Sequence, residues 1–267
     1  MIIKSAYIEI TNRCNLDCRD CYNSSGKNRK TVELDLNILM RFIKDLKVLY
    51  GVKSVTLSGG EPLLHTRIDE ILKSMSEFCT QYPDMDFNFI TNGTTDHPLF
   101  YELMETNPHF YLQISLDGPN EYANASMRGP GNFDRVITNV SKRRFCNKPV
   151  YKMIINKTNA HFTEEYFHFV YQTLHGLPAY AFVTPQGNAV SNWDEMQLTV
   201  RERSDIILNI QRLYREYDIQ NLNLPLPTSH CDLTDRNGKM SFCIKPDGSI
   251  LPCQNLYDDR FKIGNLY

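Results

Sequence analysis

Residues 5–22 read Ser-Ala-Tyr-Ile-Glu-Ile-Thr-Asn-Arg-Cys-Asn-Leu-Asp-Cys-Arg-Asp-Cys-Tyr, a short alternating run that leads straight into three closely spaced thiols. The alternation from Ser5 to Thr11 predicts a β-strand. Just downstream, Leu36, Leu39, Met40, Ile43, Leu46 and Tyr50 recur at spacings of three and four, which predicts a helix of about 15 residues with one apolar stripe. The same succession then repeats. Further strands are expected at Lys53 to Leu57, Asp86 to Thr91, Phe110 to Leu116, Val150 to Asn156 and Tyr180 to Thr184. Further stripes fall at Ile68 to Met75, Phe162 to Val170 and Ile206 to Tyr217. Six such alternations require a parallel sheet with right-handed crossovers. The expected fold class is therefore α/β, a partial (β/α)6 TIM-like barrel over residues 1–220.

Ligands of such sheets bind at the carboxyl ends of the strands. The unusual residues cluster there. Cys14, Cys18 and Cys21 follow the first strand, Ser58 to Pro62 the second, Asn92 and Gly93 the third, Asp117 and Gly118 the fourth. Beyond Leu222 to Pro227 the character changes. Ser241 to Pro252 reads as a hairpin turning at Pro246, Asp247 and Gly248, so residues 221–267 are expected to form a short C-terminal cysteine-bearing β-hairpin appendage.

Composition narrows the function. With 42% hydrophobic and 22% charged residues among 267, disorder over most of the chain is excluded. The near balance of 29 Lys plus Arg against 31 Asp plus Glu supplies no global field for a nucleic-acid backbone or an anionic membrane. Lys142, Arg143 and Arg144 read as a solvated helix end. No apolar run reaches the roughly 18 residues of a membrane helix, and the N-terminus lacks a signal peptide's apolar core. A cytoplasmic protein with neither nucleic-acid nor membrane partners is expected. Its eight cysteines then read as metal ligands, nucleophiles or buried thiols rather than as a disulfide framework.

Three soft thiolates within eight residues suit one metal centre. A closed zinc site needs four ligands, and no fourth stands at the right local distance. An iron-sulfur cube held by three thiolates leaves one iron open. In that light, the run from Cys14 to Tyr22 resembles the cluster loop of radical S-adenosylmethionine (SAM) enzymes. Gly59-Gly60-Glu61-Pro62 is similar to that superfamily's GGEP motif, at the end of the second strand.

The resemblance implies a 4Fe-4S cluster on Cys14, Cys18 and Cys21, whose open iron takes the amine and carboxylate of SAM. One electron then releases a deoxyadenosyl radical that abstracts a substrate hydrogen. It further implies SAM contacts at Gly59, Gly60, Glu61 and Pro62. The glycines would let backbone approach the amine, while Glu61 either meets SAM or fixes the loop. Gln113 to Gly118 resembles the fourth-strand segment that meets ribose or amino acid, through Ser115 and Asp117. Arg128 matches an arginine that pairs with the SAM carboxylate in peptide-modifying members. Asn156 to Asn159 and Thr184 to Gly187 match strand ends near adenine and substrate. The position before the third cysteine is usually aromatic. Here it is Asp20, and the aromatic is displaced to Tyr22, which reads as packing and is a weaker candidate for cofactor contact.

Cys243 and Cys253 enclose Gly248 as C-x4-G-x4-C, with Cys231 twelve residues earlier. This resembles the start of the SPASM/twitch appendage of radical SAM peptide maturases, and implies one auxiliary cluster on Cys231, Cys243 and Cys253. Free thiols on a vestigial hairpin are the alternative. Cys79 and Cys146 read as ordinary thiols. Gln254 stands where the sulfatase-maturing branch has an aspartate base, and glutamine cannot accept that proton. The seven histidines form no ligand pattern. Trp193 falls in a polar loop, Asn188 to Gln197. No residue is singled out as acid or base.

The reading is thus a radical SAM oxidoreductase that crosslinks or epimerises a ribosomal peptide. Thirteen residues before Cys14 leave no room for a leader-binding domain, so a peptide is expected to be gripped by the barrel mouth, by the appendage or by a separate recognition protein, with an electron donor such as flavodoxin or ferredoxin. Alternatives are a small-molecule enzyme resembling the GTP cyclase of molybdopterin biosynthesis, which lacks support from a close pair of closing cysteines, and a zinc-stabilised binding module.

Overall fold

A computed structural model describes residues 2–219 and 239–267. Six strands run parallel: β1 (Ile2–Thr11), β2 (Ser54–Gly59), β3 (Asp86–Thr91), β4 (Phe110–Ser115), β5 (Val150–Ile155) and β6 (Leu177–Phe182). They lie side by side in the order β6-β5-β4-β3-β2-β1, and β6 ends the sheet among the described residues. The barrel is partial, as expected.

The connecting helices are α1 (Leu36–Tyr50), α2 (Ile68–Gln81), α3 (Pro98–Thr106), α4 (Glu121–Arg128), α5 (Asn132–Val140), α6 (Thr163–His168), α7 (Trp193–Met196) and α8 (Val200–Glu216). Local chemistry sets their starts. Asp35 caps α1 through Asn37 N and Ile38 N, and Thr199 and Glu202 form a capping box on α8. The sequence reading named no stripe for α3, α4 or α5, each nine residues or shorter and so too brief for a stripe to recur, although it expected a helix to end near Lys142.

Each strand buries alternate residues under the helices, including Ile8, Ile10, Val55, Leu57, Phe87, Phe89, Leu112, Ile114, Tyr151 and Met153. The opposite face lines the barrel's inside and is polar, with Tyr7, Glu9, Ser58, Asn88, Gln113, Ser115 and Lys152. Some expected boundaries shift, and β1 begins at Ile2 rather than Ser5. β6 begins at Leu177 rather than Tyr180, because Pro178 is tolerated in an edge strand that needs no donor on its free side. The expected loop around Trp193 is a 3-10 turn, Gly187–Asn192, followed by α7.

The C-terminal hairpin is also more closely joined than an appendage. β7 (Lys239–Ile244) runs parallel to β1, with Tyr7 opposite Cys243. β8 (Ser249–Leu251) and β9 (Gly264–Asn265) extend it antiparallel, giving one nine-stranded sheet among the described residues. The expected turn is present, with Gly248 N donating to Lys245 O at 2.9 Å and Gly248 at φ 79°. No helix among the described residues is long and apolar enough to cross a membrane.

Candidate active site

The loop after β1 is pinned by the Gly-Gly-Glu-Pro turn after β2. Gly60 N donates to Thr11 O at 2.7 Å, and Glu61 N to Arg13 O at 2.8 Å. A methyl group on Gly59 would stand 2.2 Å from Thr11 O, and one on Gly60 2.4 Å from Arg13 O. Both glycines are therefore required by backbone lying against the thiol loop, a reason the sequence reading did not contain. Pro62 opens the 3-10 turn Pro62–Leu64, capped by the Glu61 side chain.

Glu61 is fully buried. Its Oε1 accepts from Thr91 Oγ1 at 2.8 Å and Leu63 N at 3.2 Å, and its Oε2 from Asn92 N at 2.7 Å. Of the two roles open to it, this geometry is that of a brace between the ends of β2 and β3. Burial pushes its carboxyl up to about 7, partly offset by those donors. Asn92, thus oriented, points its amide at Cys14 Sγ, 3.8 Å away, and at Asn15 Oδ1, 2.8 Å away.

The three thiols lie in this braced loop. Cys14 Sγ also accepts from Leu16 N at 3.5 Å, Cys18 Sγ from Arg128 Nη1 at 3.9 Å, and Cys21 Sγ donates to Asn23 Oδ1 at 3.1 Å. They are close enough to feel one another's charge. Burial raises all three, that of Cys21 to about 12. Free thiolates are thus disfavoured, and a cationic inorganic centre is what would hold them deprotonated.

Among the described residues, no three His, Cys, Asp or Glu side chains converge tightly enough for a single metal ion. A cube takes each thiolate on a different iron. A soft, three-thiol donor set fits such a cluster.

Arg128, at the end of α4, forms an ion pair with Asp117 at 2.6 Å, its side chain 11% exposed and that of Asp117 0%. Burial alone would lower Arg128, but Asp117, Cys18 and Asp20 hold it above the ordinary value. Asp117 Oδ1 accepts from Ile154 N at 2.8 Å, and Asp117 N donates to Asn124 Oδ1 at 3.0 Å. Asp20 joins this cluster and is pushed up to about 7, first by burial and then by Asp117. Ser115 lies half-buried on the inner face of β4. Tyr22 turns away from the thiols. Its hydroxyl donates to Glu9 and sits 3.1 Å from Tyr7 Oη, and its ring meets Tyr257 edge-on at 5.8 Å.

The sequence reading missed a second clamp. Gly187 lies against the backbone of Cys21 and Tyr22, where a methyl would stand 2.2 Å from Cys21 O. Asn188 N donates to Cys21 O at 2.9 Å and its amide to Cys18 O at 2.8 Å, while Asn192 Nδ2 donates to Arg19 O at 3.2 Å. Only residues brought together from far along the chain reveal it. Asn159, fully buried, ties Asp117 O at 3.1 Å to Ile154 O at 3.0 Å.

In the C-terminal hairpin, Cys243 is buried and raised, first by burial, and feels Glu9 and Cys253. Cys253 Sγ accepts from Asn255 N at 3.3 Å. Cys231 lies outside the described residues. Glu9, fully buried on β1, accepts from Tyr22 and from Tyr257, linking the thiol loop to this hairpin. Cys79 is buried and Cys146 exposed.

A partial α/β barrel that offers three braced thiols at the carboxyl ends of its strands defines a class of protein built to hold an inorganic cluster beside a bound ligand. The chain belongs to the radical SAM superfamily, whose family model matches residues 8–156. It is 25% identical over 271 residues to mycofactocin maturase MftC of Mycolicibacterium smegmatis, covering 97% of this chain and 66% of that protein. It is 26% identical over 260 residues to the sporulation killing factor maturation protein SkfB of Bacillus subtilis, covering 94% and 60%. In fold it is similar to Streptococcus suis SuiB bound to its precursor peptide SuiA, with TM-score 0.75 and 17% identity over 99% of this chain and 62% of that one. The chain thus spans 60–66% of the length of these curated relatives.

Proposed function

We propose that this protein is a radical SAM enzyme that abstracts a hydrogen from a peptide and installs a crosslink or an epimerised centre. The observation that carries the reading is the thiol loop after β1, fixed from two sides by Gly59 to Glu61 and by Gly187 to Asn192. Its affinity to MftC and SkfB, both named as maturation proteins, supports a peptide substrate over a nucleotide.

When bound, a 4Fe-4S cluster with SAM supplies reductive cleavage of the sulfonium and a hydrogen-abstracting radical. Cys14, Cys18 and Cys21 would hold the cluster, and Arg128 would keep a positive charge beside Cys18. Gly59 to Pro62, Ser115, Asp117 and Arg128 are the residues we assign to the SAM side. Glu61 acts there by bracing, and Tyr22 by packing.

We assign residues 1–220 to the barrel and 221–267 to a twitch-like extension, in which Cys243 and Cys253, with Cys231, would hold an auxiliary cluster. Flavodoxin or ferredoxin would deliver the electron, and a separate protein would present the peptide. Anaerobic reconstitution tests the reading: the reduced protein should convert SAM to 5′-deoxyadenosine and methionine. A reduced, iron-loaded protein that leaves SAM intact would refute it.

A further inference from the structure

On the inner face of β5, Lys152 stands opposite Ser115 of β4 and Ala179 of β6. Its neighbours Tyr151 and Met153 are buried under the helices, so the lysine stem leaves on the inside of the barrel. Among the described residues no carboxylate, hydrogen-bond acceptor or aromatic ring partners its ammonium. The carboxylates that face the barrel interior are engaged elsewhere. Asp117 is held by Arg128 and Ile154 N, Asp20 lies beside that same pair, and Glu9, across the sheet on β1, is held by Tyr22 and Tyr257.

A half-buried cation with no counter-charge is costly to keep, and desolvation lowers its pKa. Two residues further along the same face, Ile154 packs with Met127, Val183, Ala189, Met196 and Trp193, so that face turns apolar beyond Lys152. A ligand that completes this site brings one anionic group next to apolar surface.

We infer that Lys152 binds a carboxylate of the substrate peptide, either its free C-terminus or an acidic side chain, and so fixes the substrate in the barrel. This deepens the proposed peptide-modifying function and rests on it. The SAM carboxylate is the competing source of such an anion. Ser115, directly opposite Lys152, is among the residues assigned to SAM, so the two anions are separated by the probes below and not by distance.

The test is reductive methylation of the anaerobically reconstituted protein with formaldehyde and cyanoborohydride, read at Lys152 by mass spectrometry. The probes are N-acetylglycylglycine, its C-terminal amide and SAM. The acid should slow modification of Lys152 about threefold or more, as a charge-assisted contact at high probe concentration allows, while the amide and SAM leave the rate unchanged. Equal effects of acid and amide, or protection by SAM alone, overturn the inference. So does a Lys152 that formaldehyde never modifies, since an ammonium sealed from formaldehyde is sealed from a peptide. SAM cleavage is measured on the same sample. Its absence counts against the radical reading, whereas cleavage without acid-specific protection counts against the carboxylate site alone.

Discussion

Arg128 Nε lies 2.6 Å from Asp117 Oδ2 inside the protein, and the same guanidinium reaches Cys18 Sγ at 3.9 Å. One buried ion pair therefore joins the end of β4 to the thiol loop. Breaking one side of such a pair strands a charge. Asp117→Asn should destabilise the apoprotein by about 3–5 kcal/mol, measured by urea unfolding, and removing both charges with Asp117→Asn plus Arg128→Met should recover part of that loss. A single-variant change below about 1 kcal/mol would show that water reaches the pair.

Gly60→Ala places a methyl 2.4 Å from Arg13 O, in backbone that cannot swing away as a side chain can. The brace to Thr11 and Arg13 should give way, so iron bound after anaerobic reconstitution should fall several-fold while the barrel still folds. Circular dichroism and iron per chain report the two separately.

Gly187→Ala makes the same test from the other side of the loop. Its φ of 54° strains a side chain, and the methyl would meet Cys21 O at 2.2 Å. Asn188→Ala, which removes only the bond to Cys18 O at 2.8 Å, should weaken cluster retention less than Gly187→Ala does. Equal retention by both variants and the parent would mean that this clamp does not position the thiols.

Glu61 is raised from 4.5 to about 7 by burial. The folded apoprotein therefore binds a proton that the unfolded chain has released between those values, and stability falls as pH rises through that window. Glu61→Gln should flatten the fall by up to about 1.4 kcal/mol per pH unit, leaving the part due to Asp20, also pushed up to about 7. Urea midpoints between pH 5 and pH 8 give the slopes. The variant should also be less stable overall, because its amide faces the Asn92 N–H that an acceptor occupied at 2.7 Å.

Cys146 is exposed, while Cys79 is buried and raised to about 11, chiefly by desolvation. Iodoacetamide at pH 8 should modify Cys146 in the native apoprotein and spare Cys79 until the chain unfolds. Mass spectrometry of the two peptides decides the matter, and early modification of Cys79 would contradict the packing of α2 against the sheet.

Much of this was written in local pattern. Period-two strands such as Asp86–Thr91, the stripe of α1 from Leu36 to Tyr50 and the spacing of Cys14, Cys18 and Cys21 are properties of adjacent residues, and they pointed to the parallel barrel and to a thiol loop after its first strand. What the glycines are for was not local. Gly59 and Gly60 are adjacent to nothing in sequence that explains them, and only the fold lays them on Thr11 and Arg13. The same holds for Gly187 and Asn188 against Cys21, for Glu9 between Tyr22 and Tyr257, and for Lys152, left without a partner among the described residues. Periodicity reports which face a residue presents; which residues then meet across a barrel depends on strand register and loop path, summed over contacts far apart in the chain.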